Sequence, residues 1–172
     1  VTLGVTFIAA GPTKLAFTTA PFTGVYGQCL GPITVQTQNA SNVPTNVTSN
    51  TTVTLATDAT GTFYSDNVCS AAITSVQIAS GNNSASFYYQ AGAVGDGSHQ
   101  LTASATGLTS ASQTQTINKK TLTVTASSPS AGTYGDAVPT ITPGYAGFVL
   151  GDDAGDLDTP PFCSTTYVHG DS

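Results

Sequence analysis

The chain has 172 residues, enough for one domain or two small ones, and only 7% of them are charged, against about a quarter in an average soluble domain. It has no Glu, Arg, Met or Trp, and its three basic residues, Lys14, Lys119 and Lys120, leave a net charge of −6. That composition disfavours helical folds, and it argues against nucleic-acid binding and attachment to anionic membrane surfaces, both of which need clustered Lys and Arg.

The first run, "VTLGVTFIAAGP", alternates Val1, Leu3, Val5 and Phe7 with smaller or polar residues. It lacks the basic n-region and unbroken apolar core of a signal peptide, so it reads as a strand. No stretch is long and apolar enough to span a bilayer. Seven alternating runs follow: 14–19 with Leu15 and Phe17, 33–38 with Ile33 and Val35, 52–57 with Val53 and Leu55, 75–80 with Val76 and Ile78, 84–90 with Phe87 and Tyr89, 99–105 with Leu101, Ala103 and Ala105, and 111–117. The last, "ASQTQTI", is the most polar and is expected at a sheet edge. Turn-rich segments such as "NASNVPTN", "SGNN" and "AGAVGDGS" separate the runs. Short strands at this spacing predict an all-β, antiparallel sandwich over 14–117. The polar junction 118–120 then reads as a linker, and a fresh alternating run starts a second β unit, 121–172, too short for a full sandwich. Residues 1–13 look like a strand shared with a neighbouring unit, so the chain reads as a segment of a tandem array.

Cys29, Cys69 and Cys163 match no zinc spacing. Cys29 and Cys69 lie in one strand-rich region and are paired in our reading, with three reduced, buried thiols as the open alternative. An oxidising compartment is the condition for the pair.

The segments "KLAFTTAPFTGVYGQC", "GTFYSDNVC" and "GSHQLTASATGLTSASQTQTI" resemble bacterial immunoglobulin-like repeats of large surface proteins. "KKTLTVTASSPSAGTYGDAVPTITPGYAGFVLGDDAGDL" resembles the opening half of an MBG-type ("mostly bacterial Ig-like") repeat. Together they cover nearly everything after residue 13. The resemblance implies a Cys29–Cys69 bridge, and a second unit that continues past Ser172, which leaves Cys163 without a partner here.

Four acidic residues crowd into "GDDAGDLD": Asp152, Asp153, Asp156 and Asp158. Their spacing is not that of an EF-hand loop, and no Glu is available to close one. A surface turn is expected, where Asp bonds its own backbone and Gly accepts positive φ; the four stand as the calcium candidate, and no other cofactor is indicated. His99 and His169 each have Ser and Asp nearby, but the G-x-S-x-G elbow of a hydrolase is missing, so no enzymatic activity is expected. Asn39, Asn46, Asn50 and Asn82 satisfy the N-x-[ST] acceptor pattern. Tyr64, Phe87, Tyr88 and Tyr89 are an aromatic set in which alternation sends Phe87 and Tyr89 to one face and Tyr88 to the other; core plus one surface Tyr is the expectation. A Lys–Asn crosslink would need a buried carboxylic acid, and every Asp falls in an expected turn. The functional expectation is an extracellular, cell-surface spacer module. Its partners would be neighbouring repeats or copies of itself, some joined by strand addition. The alternative is a glycan- or protein-binding module using exposed loops and Tyr residues.

Overall fold

The computed structural model describes residues 11–92, 97–130, 135 and 137–166; the strand expected at 1–10 lies outside them. The chain divides into two units between Lys119 and Lys120. In the first, apolar residues at every second position bury one face of each strand. The strands are β1 (Lys14–Phe17), β2 (Thr23–Val25), β3 (Cys29–Gln38), β4 (Thr51–Thr57), β5 (Gly61–Tyr64), β6 (Ala72–Ile73), β7 (Ser75–Ile78), β8 (Ser84–Ala91), β9 (Gly97–Ser104) and β10 (Ala111–Asn118). One sheet has the order β1-β3-β8-β5-β6 and the other β2-β10-β9-β4-β7. Every pairing is antiparallel except that of β2 with β10. This is an immunoglobulin-like β-sandwich.

The core lies between the sheets. Ile33, Val35, Val53, Ile78, Phe87, Tyr89, Leu101, Ala103 and Ile117 are all fully buried. Phe87 meets Phe63 and Phe17 edge-on, at centroid distances of 5.6 and 6.4 Å, the geometry favoured by ring quadrupoles. Gly61 must remain glycine, because a Cβ there would collide with the Tyr89 hydroxyl.

Two stretches cross from one sheet to the other. The first continues from β1 into β2; the second breaks at Thr74, so that β6 pairs with β5 and β7 pairs with β4. A bulge displaces the β3–β8 register between Leu30 and Ile33.

The expected edge position of the 111–117 strand is not what the structure shows. β10 lies between β9 and β2. Its polarity misled because Gln115, fully buried, has its amide satisfied: Oε1 accepts from the Phe22 N–H at 2.8 Å and Nε2 donates to Gln113 Oε1 at 2.8 Å. A paired buried amide carries no desolvation penalty of the kind that excludes polar residues from interiors.

The second unit contains β11 (Thr123–Ala126) and β12 (Pro143–Ala146), an antiparallel pair that places Val124 opposite Tyr145. The Tyr145 ring lies 5.6 Å from that of Phe148. A single 3₁₀ turn follows at Ala154–Asp156. All four residues of β11 are exposed, and so are Val138, Leu150 and Phe162.

Candidate functional site

Cys29 opens β3 and Cys69 sits in the loop between β5 and β6. They are bridged, with a Cα separation of 5.6 Å. Cys69 occupies the left-handed region at φ 53°, and Asp66 organises the loop around it. The Asp66 carboxylate accepts from the backbone N–H of Val68 at 3.0 Å, of Ser70 at 3.1 Å and of Ala71 at 2.6 Å. These donors, Ala71 first and then Ser70, hold its carboxyl below the ordinary value of 3.8, because each favours the charged form. Cys163, in the second unit, is a free, half-buried thiol.

At the chain ends of the sandwich the N-terminal segment runs beside β10 and in the same direction. Thr109 N–H donates to Thr13 O at 2.9 Å and Leu15 N–H to Thr109 O at 2.8 Å. Gln113 Nε2 donates to Thr19 O. Thr116 N–H then donates to Phe22 O at 3.1 Å and Tyr26 N–H to Asn118 O at 2.9 Å. Thr23, Gly24 and Val25 pair with Thr116, Ile117 and Asn118. Pairing thus reaches Asn118, a residue the sequence reading placed in the linker.

The other expected positions are scattered. Phe87 and Tyr89 are in the core, while Tyr64 and Tyr88 lie on the outer face of the β1-containing sheet as directly opposed partners. Alternation predicts one surface Tyr; the pairing of β5 with β8 adds the second. Tyr89 reaches across the interior to His99, its hydroxyl 2.8 Å from Nδ1. Burial is the main cause that raises the Tyr89 pKa above 10.0. His99 is itself 3% exposed, so it is a core residue, and His169 lies outside the described residues. Among the described residues no buried side-chain nitrogen or oxygen lacks a hydrogen-bond partner.

Asn46 and Asn50 lie on the long loop between β3 and β4. Their Oδ1 atoms accept from Asn83 Nδ2 at 3.0 Å and from the Ser80 N–H at 2.9 Å. Asn82 is exposed beside them, and its carbonyl accepts from Val47 N–H at 2.8 Å. Asn39 forms its own turn, accepting from the N–H groups of Ser41 and Val43. Lys14 Nζ donates to Asn42 Oδ1.

The acidic segment forms a turn. Asp153 caps the 3₁₀ turn by accepting from Gly155 N–H at 2.6 Å, and Asp156 reaches back to Asp153 N–H at 2.8 Å. Two of the four carboxylates thus serve the local backbone in a capping box. Among the described residues no group of three or more His, Cys or Asp side chains is arranged to hold a metal ion, and no helix is long and apolar enough to cross a membrane.

No protein-family model and no curated protein matches the chain. Among solved structures, a glycosyl hydrolase family 2 member from Bacteroides cellulosilyticus is similar at a TM-score of 0.48 and 18% identity. The match covers 64% of this chain and 15% of that one.

Proposed function

We propose that this chain is a non-catalytic, load-bearing spacer module of an extracellular, cell-surface repeat protein. The observation that carries the reading is the parallel hydrogen bonding of the N-terminal segment, Thr13 to Tyr26, against Thr109–Asn118. Tension on a module in a tandem array enters at its two ends. Because these segments run in the same direction, that tension slides one along the other. All their hydrogen bonds are then strained together, and none can be peeled first. The disulfide adds a second restraint inside the sandwich, and it suits an oxidising compartment. The spare use of charge is consistent with a surface that makes contacts through hydroxyls and amides.

Pulling geometry tests the proposal. Attachment at residues 13 and 118 loads the terminal pairing in shear. Attachment at Lys14 and Gln38, which are opposed at one end of the β1–β3 ladder, peels that ladder bond by bond. Single-molecule unfolding should need the larger force in the first geometry. Equal or lower force through the chain ends would remove the basis for a load-bearing role.

A further inference from the structure

We propose that the outer face of the β1-containing sheet carries a binding site for a neutral carbohydrate, built on Tyr64, Tyr88 and Gln90. Tyr64 and Tyr88 are directly opposed on β5 and β8, so their Cβ atoms are about 5 Å apart on the same face. Both are partly exposed. Tyr88 lies down on the sheet because β3 offers no side chain at that point: a Cβ on Gly31 would sit 2.7 Å from Tyr88 Cδ1.

Gln90 supplies the fixed polar group. It stands two residues beyond Tyr88 on the same face of β8 and opposite Thr62 on β5. Its Nε2 donates to Gly27 O at 2.9 Å, and its Oε1 accepts from the Tyr64 hydroxyl at 3.5 Å. Each amide end keeps capacity for a further bond, since the amide has two donors and two acceptor lone pairs. One row away, the Thr34 and Ser86 hydroxyls are bonded to each other at 2.8 Å. Two neighbouring, partly exposed tyrosines beside a few oriented amide and hydroxyl groups match a pyranose ring, which has an apolar C–H face and a rim of hydroxyls.

Charge selects a neutral sugar over an acidic sugar or a charged peptide. Tyr64, Tyr88, Gln90, Thr62, Thr34 and Ser86 carry no charge. The nearest acidic group along the chain, Asp66, is committed to the backbone N–H groups of its own loop. An anionic ligand would find no cation in this patch, and a basic one no free carboxylate. Cys29 is paired with Gln90 in the β3–β8 register, so the bridge to Cys69 braces the edge of the patch.

The proposal goes beyond the spacer reading and does not depend on it. The test is a titration of the isotope-labelled full chain with cellohexaose, mannohexaose and maltohexaose, followed by amide NMR. At least one sugar should produce saturable shifts centred on residues 62–64, 88–90 and Gly27. Tyr64→Ala and Tyr88→Ala should each weaken that binding up to about tenfold, the scale of one aromatic contact. Tyr88→Phe should keep it, and Tyr145→Ala in the second unit should leave it unchanged. If an alanine variant fails to fold, the wild-type shift map decides. The proposal is overturned if none of the three sugars moves these amides, or if the shifts centre elsewhere. It is also overturned if the same amides shift with protein concentration alone, which would make the patch a contact between copies.

Discussion

Reduction of the Cys29–Cys69 bridge should lengthen the chain that force can extract from the sandwich. The bridge closes a sequence separation of 40 residues. While it holds, tension passes from Cys29 to Cys69 through the sulfurs, and the residues between them stay slack even after the strands have parted. A fully extended residue spans about 3.6 Å, so the shielded length is roughly 140 Å, against a Cα separation of 5.6 Å across the bridge. Force–extension traces recorded with and without reductant should therefore differ in contour-length increment by about 14 nm. The same closure restricts the unfolded ensemble. In the chain-entropy model a loop of this size is worth about 4 kcal/mol. With a urea slope of about 1.5–2 kcal/mol per molar, the midpoint of the sandwich should fall by roughly 2–3 M when both cysteines are replaced by serine. An unchanged contour increment in reductant would refute the bridge as a force-bearing link. An unchanged urea midpoint would show that the loop is already ordered in the unfolded chain, and that the entropic argument does not apply here.

Phe87→Ala should cost about 3–5 kcal/mol, read by urea unfolding, because it empties the space between the rings of Phe17 and Phe63. Asp66 should titrate below 3.8 by carboxyl NMR, since backbone donors stabilise its charged form. A depressed folded pKa contributes stability above the unfolded value and loses it as pH falls through the folded one. The melting temperature should therefore drop in acid below about pH 4, and Asp66→Asn should remove that part of the drop. The Tyr89 pKa is raised, so its contribution is complete below about pH 10 and is lost as pH climbs through the folded pKa. Ultraviolet titration should show one tyrosine that ionises only at higher pH or on unfolding, and Tyr89→Phe should abolish that component. Calcium titration calorimetry should show no site tighter than about 10⁻⁴ M, and a micromolar site lost in Asp153→Ala would contradict the capping role of that carboxylate.

Much of the sandwich was legible in the sequence, because side-chain direction in a strand alternates with period two. That local rule placed Ile33, Val35, Val53, Leu55, Phe87, Tyr89, Leu101 and Ala103 inside, as the structure has them. Short strands escaped it: β2 and β6, with three and two residues, are too short to show a period, and β5 was missed although β1 and β7 are no longer than it. The pairing of Cys29 with Cys69 was also legible, since both fall in one strand-rich stretch.

Strand neighbours are a different matter, because they are chosen by contacts between residues far apart in the chain. Nothing in "TGV" says that it lies parallel to 116–118, and nothing in "ASQTQTIN" says that Gln115 will bond the Phe22 N–H. The same holds for the candidate carbohydrate face. Alternation turned Tyr88 outward, but only the β5–β8 register put Tyr64 opposite it, and only the β3–β8 pairing set its ring over Gly31, where no side chain stands. Alternation picks out the apolar residues that leave water, since it follows from each side chain and its immediate neighbours, but it does not reach the buried polar ones, Gln115 and His99. The tertiary structure alone decided which strands share hydrogen bonds, because an N–H or C=O at a strand edge accepts any backbone partner, and the choice among them is made by how the two sheets close over one core.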